Sequence, residues 1–227
     1  MALILSIETA TQVCSVALHH EGKLVGYQTL CIAKSHAESL LPMVEHLLGI
    51  SPYTKRDLVA VAITEGPGSY TGLRIGTATA KGLCYALGIP LIAVNTLEAM
   101  AYGMVHYKLS QALLCPMIDA RRMEVYCLIA DAAGQVLQEP HPCVVDANSF
   151  QPWLERNKVL FFGDGAEKCK PILARHNQAV FLDDIHPSAQ YIGALAYPKF
   201  QQKEFADLAY FEPLYLKPFQ SKAPDGQ

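Results

Sequence analysis

Short hydrophobic runs with strand-like alternation and longer stretches with helical periodicity follow one another along the chain. Leu3–Ile7, Val13–His19 and Leu24–Cys31 predict three strands, the first two joined at Glu8–Gln12 and the last two by a turn around Glu21–Gly22. Ser35, three residues ahead of Glu38, has the form of a capping box, and the helix it opens runs to Gly49. Leu58–Thr64 is apolar throughout its centre, as a buried parallel strand is. Gly66-Pro67-Gly68 breaks it, and a helix follows from Ser69 to Leu87. Leu91–Val94 predicts another buried strand and Thr96–Val105 another helix. Strand–helix–strand order with crossovers of this length makes neighbouring strands parallel and puts the chain in the α/β class.

The pattern then repeats. Leu113–Ile118, Asp119, a short polar turn and the alternating Met123–Ile129 mirror Leu3–Ile7, Glu8, a polar turn and Val13–Leu18, and Gly134 follows Asp119 much as Gly22 follows Glu8. Two related lobes are expected, residues 1–106 and 107–227. In the second, Lys158–Phe162 is a strand ending in Gly163-Asp164-Gly165 with a helix to His176, Ser188–Phe200 is a helix, and the polar tail past Lys217 is expected to be loose. Two lobes that each open with a hairpin whose first strand ends in an acid resemble the actin and sugar-kinase superfamily. That resemblance implies a mixed sheet with flanking helices in each lobe, hairpin turns that grip phosphate between the lobes, and acids that hold a metal.

Composition narrows the partners. The chain has 227 residues, a formal charge of −3 and 17% charged residues, so it carries no basic field to drive nucleic-acid binding unaided. The apolar runs fall short of the ~18 residues of a membrane span, and the opening MALILSIETATQVCSVAL has no basic leader. Seven cysteines, without a C-x-x-C pair, read as reduced thiols. Together these predict a soluble cytoplasmic protein.

Four stretches carry a more specific resemblance: Ile7-Glu8-Thr9-Ala10-Thr11, Glu65-Gly66-Pro67-Gly68-Ser69-Tyr70-Thr71-Gly72-Leu73-Arg74-Ile75-Gly76, Asp119-Ala120-Arg121-Arg122-Met123-Glu124-Val125-Tyr126 and Pro213-Leu214-Tyr215-Leu216-Lys217. They are similar to the TsaB (YeaZ) family, part of the machinery that forms threonylcarbamoyladenosine at position 37 of tRNAs reading codons that begin with A. The resemblance implies a catalytic relative, TsaD, as partner, an ATPase, TsaE, and contact with tRNA only through the complex. ATP and metal are then expected with TsaE and TsaD, and no cofactor with this chain alone.

The catalytic relatives carry Asn-His-x-x-x-His after the buried strand, two imidazoles on one helix face that ligate one metal ion. Here the segment reads Asn95-Thr96-Leu97-Glu98-Ala99-Met100, so the ligand positions hold a weak neutral hydroxyl and a soft thioether. The reading is therefore a non-catalytic partner subunit. A glycoprotease-like metallopeptidase and a homodimeric regulator are the alternatives. Ala10 stands near where a phosphate-gripping turn would have glycine, and Glu8, Thr9, Gly68 and Ser69 are the residues expected nearest any nucleotide.

Other groupings have two readings each. His141-Pro142-Cys143 is a metal pair or a strand edge, Arg121-Arg122 a phosphate contact or a solvated turn, and His36 and His46 exposed or partner-facing imidazoles. On the second helix Gly72, Gly76, Ala80 and Cys84 make a ridge of small side chains that permits close approach, either of the chain's own sheet or of a partner. On the first, Leu40, Leu41, Val44, Leu47 and Leu48 form an apolar band that Met43 widens beyond one core contact. The partner face is accordingly expected at Leu40, Met43, Val44, Leu47, Gly72, Ile75, Gly76 and Thr79, which agrees with the helices the family uses to meet TsaD.

Overall fold

The computed structural model describes residues 2–32, 35–107 and 111–217; the tail past Lys217 lies outside them. Strands β1 (Leu3–Glu8), β2 (Cys14–His20) and β3 (Lys23–Leu30) form the opening meander, followed by helix α1 (His36–Gly49), β4 (Leu58–Gly66), α2 (Tyr70–Leu87), β5 (Leu91–Asn95) and α3 (Thr96–Val105). The second half runs β6 (Ala112–Asp119), β7 (Glu124–Ala130), β8 (Val136–Val144), α4 (Gln151–Leu154), β9 (Lys158–Phe162), α5 (Ala166–Leu173), β10 (Ala179–Leu182) and α6 (Ala189–Gln202).

The two sheets have one topology. The first is ordered β3-β2-β1-β4-β5 and the second β10-β9-β6-β7-β8, the same order once β6 is set equivalent to β1. In each, the hairpin strands pair antiparallel and the crossover strands parallel. The repeat seen in the sequence is thus a repeat of whole sheets, with Glu8 and Asp119 at equivalent strand ends.

Helices α1 and α2 cover one face of the first sheet, where Leu3, Leu5 and Ile7 of β1 meet Leu40, Met43, Val44 and Leu47. On its other face Ile4 and Ala17 meet Ile192 and Ala196 of α6. Leu97, Met100, Ala101 and Met104 of α3 pack on the second sheet against Ile118, Leu128 and Phe162, and α5 covers the far side. Helices α3 and α6 therefore lie between the sheets, and each packs against the sheet built by the other half of the chain. Beyond α6 the chain stays with the first sheet, through Ala206 N–H to Leu91 O and Leu214 N–H to Glu65 O. Buried His19 fixes α6: its Nε2–H donates to the Gln190 carbonyl at 3.0 Å and its Nδ1 accepts from Ser6 Oγ at 3.2 Å.

Several expectations are corrected. Ser35 makes no capping box, because its hydroxyl turns back to donate to Ile32 O at 2.9 Å. His36 is buried, with Nε2 2.9 Å from the Thr11 carbonyl, whereas His46 is exposed as expected. Met43 is 3% exposed and belongs to the chain's own core with Leu40, Val44 and Leu47; the outward apolar residue of α1 is Leu41, 49% exposed. The hairpin β2–β3 and α2 together surround α1 widely enough to bury Met43 with the rest of the band except Leu41. Met43→Glu is therefore expected to unfold the chain, since an unpaired carboxylate buried there costs several kcal/mol; a circular-dichroism melt at wild-type temperature would contradict this placement.

Candidate functional site

The hairpin turn after β1 and the start of α2 meet at the carboxyl end of the first sheet. Ser69 caps α2, its Oγ accepting from Gly72 N–H at 3.3 Å. Its own N–H donates to Ala10 O at 2.6 Å, so the donors that a phosphate would use are spent on the chain's own turn. Contact is close: a Cβ on Gly68 would fall 2.5 Å from Ala10 O, one on Gly72 2.1 Å from Thr9 O, and one on Gly76 2.2 Å from Thr9 Oγ1. The ridge of small residues thus exists to seat α2 against the β1 turn. Gly72 and Gly76 are buried against that turn, and of the expected partner face only Ile75 and Thr79 keep part of their surface.

Glu8 and Thr9 are fully buried in this junction. Glu8 Oε1 accepts from Ala10 N–H at 2.5 Å, while Oε2, Thr9 Oγ1 and Thr64 Oγ1 have no hydrogen-bond partner. Burial pushes the Glu8 carboxyl up to about 7; the Ala10 N–H opposes this, and the Thr64 hydroxyl is near enough to help without meeting hydrogen-bond geometry. A buried carboxyl that favours its proton is poorly suited to holding a cation, and the Ser69 N–H of the turn is already given to Ala10 O.

The equivalent acid of the second sheet is arranged differently. Asp119 is exposed, accepts from Arg121 N–H at 2.8 Å and pairs with Lys168, and its own N–H donates to Asp164 Oδ1 at 3.0 Å. Arg121 and Arg122 are exposed at the tip of this hairpin, with φ of 70° and 49°.

Thr96 and Met100 lie at 0% and 2% exposure. Met100 packs among Leu97, Ile118 and Phe162, and its Cε is 2.8 Å from where a Cβ on Gly163 would stand. The position is a filled core with no imidazole, and these donors do not fit a divalent cation.

Pro213–Lys217, which carries part of the family resemblance, has no structural role that its own residues announce. The structure makes it a strap across the two halves: Leu214 N–H donates to Glu65 O at 2.7 Å, and Lys217 pairs with Glu124 of β7. Tyr215 OH accepts from Arg74 Nε at 3.2 Å and its ring lies 5.1 Å from that of Tyr70, over which the Arg74 guanidinium sits at 4.3 Å. These contacts span more than 90 residues of sequence, so no local pattern announces them.

Comparison with known proteins follows the same lines. A family model described as "TsaD: tRNA N6-adenosine threonylcarbamoyltransferase" matches residues 30–220. The tRNA threonylcarbamoyladenosine biosynthesis protein TsaB of Bacillus subtilis is 30% identical over 97% of this chain and 96% of its own length. The chain belongs to the TsaB family. YeaZ from Pseudomonas aeruginosa superposes with a TM-score of 0.78 at 29% identity, over 95% of this chain and 100% of that one. An activator of 2-hydroxyisocaproyl-CoA dehydratase from Clostridium difficile, with bound ADPNP, shares the fold at a TM-score of 0.51 and 12% identity, over 91% and 98% of the two chains. The fold is actin-like, two mixed sheets with flanking helices. No helix among the described residues is long and apolar enough to cross a membrane.

Proposed function

We propose that this member of the TsaB family is a non-catalytic subunit that pairs with TsaD, and acts with TsaE, in forming threonylcarbamoyladenosine at position 37 of tRNAs reading codons that begin with A. The observation that carries this reading is the filling of both family sites by the chain's own core: the turn at Thr9–Ala10 is sealed by α2, and Thr96 and Met100 stand where catalytic relatives have metal-ligating histidines. ATP and the metal that serves threonylcarbamoyl transfer then belong to the partners, tRNA is reached only through the complex, and the work takes place in the cytoplasm.

The partner face on this reading is the outward side of α2. Thr71, Ala78, Gly82 and Ala86 are exposed at helical spacing, beside half-buried Ile75 and Thr79. A Cβ on Gly82 would meet nothing within 4 Å, so this glycine costs the helix roughly 1 kcal/mol with no packing return within the chain. Close approach of a TsaD helix would supply that return. Gly82→Leu is expected to melt at or above the wild-type temperature yet lose binding to TsaD at least tenfold, measured by calorimetry, and to leave tRNA unmodified when it is the sole copy supplied. Wild-type affinity in the folded variant would remove α2 from the interface, and threonylcarbamoyl transfer by the unmixed chain would overturn the non-catalytic reading.

A further inference from the structure

Three metal-ligating side chains converge on the second sheet, far in sequence from either sealed site. Antiparallel pairing sets Cys127 of β7 opposite His141 of β8, and Val125 opposite Cys143. Side chains alternate along a strand, so His141 and Cys143 leave β8 on one face, and Cys127 joins them there. The ligand atoms of the three lie within 4.8 Å of one another, with Cys127 Sγ 3.8 Å from His141 Nε2. Cys127 is buried, while His141 and Cys143 are half-buried on the edge strand, which gives the cluster a closed floor and a side open to solvent.

The imidazole is already turned as a ligand. His141 Nδ1 lies 2.8 Å from the Glu139 carbonyl, a contact that requires the proton on Nδ1 and leaves the lone pair on Nε2, the nitrogen that faces the Cys127 thiol. The Gln138 carboxamide nitrogen, 3.3 Å away, donates to that lone pair, and its oxygen is held by the Trp153 indole N–H at 3.1 Å. In a tetrahedral zinc site with bonds of about 2.3 Å to sulfur and 2.0–2.1 Å to nitrogen, sulfur and nitrogen stand about 3.6 Å apart. The observed 3.8 Å needs almost no movement to meet this.

We propose that Cys127, His141 and Cys143 bind zinc(II), a thiophilic closed-shell cation, with the fourth position open to water. Two thiolates and one imidazole match zinc in both softness and number, and exclude magnesium and calcium. The ion would replace the Gln138 hydrogen bond at Nε2 and clamp edge strand β8 onto β7.

Cobalt(II) titrated into the reduced full-length protein tests this. The expected result is one equivalent bound, with a thiolate-to-cobalt charge-transfer band and the intense visible absorption of tetrahedral cobalt, both bleached by zinc. Cys143→Ser and His141→Ala should each weaken retention at least tenfold, whereas Cys31→Ser, on an exposed thiol outside the cluster, should retain the full spectrum. Circular dichroism confirms folding, and Cys143→Ser, at a half-exposed edge position, carries the test if His141→Ala does not fold. A cobalt spectrum no different from the aquo ion, a thiolate band that survives Cys143→Ser, or loss of two thiols to a Cys127–Cys143 disulfide in place of metal uptake overturns the assignment.

Discussion

Substituting leucine for Gly76 is expected to lower the melting temperature by roughly 5–10 °C. Leucine is the better helix former by up to ~1 kcal/mol, but the site has no room for it. The Cβ alone would stand 2.2 Å from Thr9 Oγ1 and 3.1 Å from Ile63 Cδ1, and both neighbours are fully buried. Neither can swing aside, so α2 has to lift from the sheet. Overpacking of this kind costs ~1–3 kcal/mol where the core can adjust, and the rigid turn at Thr9 puts it at the upper end or beyond. A domain of this size loses about 2–4 °C per kcal/mol. Gly72→Ala should behave alike, because its Cβ would meet the Thr9 carbonyl at 2.1 Å, and a backbone atom yields less readily than a side chain. Thermal melts of both variants beside Gly82→Leu separate the two sides of one helix. A Gly76→Leu protein that melts at or above the wild-type temperature would mean that this ridge is not pressed against the β1 turn.

That contrast marks what a sequence can and cannot say about a helix face. Helical spacing made Gly72, Gly76, Ala80 and Cys84 a ridge, but the same spacing serves a partner or the chain's own sheet. Deciding between them required the Thr9 carbonyl, more than 60 residues away. The two sheets were legible because Glu8 and Asp119 end equivalent strands, and local alternation carried most of their members. Strand β8 was hidden by Pro140 and Pro142, which an edge strand tolerates, and β10 by its four-residue length. That Thr96 and Met100 are not histidines could be read directly, since it concerns identity alone. The strap at Leu214–Lys217 could not, because its partners Glu65, Arg74 and Glu124 are brought to it only by the finished fold.

Glu8→Gln is expected to change how stability depends on pH more than any other single substitution in the junction. The Glu8 carboxyl is fully buried and its native pKa stands at about 7 against an ordinary 4.5. A carboxyl whose folded pKa is raised holds its proton more tightly in the native state. Below pH 4.5 both states are protonated and Glu8 costs nothing. Between 4.5 and 7 the unfolded chain ionises first, so stability falls as pH rises, and above 7 the loss is constant. At ~1.4 kcal/mol per pH unit, the gap amounts to about 3 kcal/mol. Glutamine keeps the shape, still accepts from Ala10 N–H, and turns its amide toward the unpartnered Thr64 hydroxyl. The variant should therefore match the wild type at pH 4.5 and exceed it at pH 8, by up to about 3 kcal/mol, in urea unfolding at the two pH values. Burial also raises the Glu65 and Glu98 carboxyls, so some slope remains in the variant. An unchanged slope would show that Glu8 is not the buried acid that titrates, whereas equal destabilisation at both pH values would assign it a hydrogen-bonding role alone. The TsaD binding proposed above should survive the substitution, because Glu8 lies beneath α2 and presents no surface to a partner.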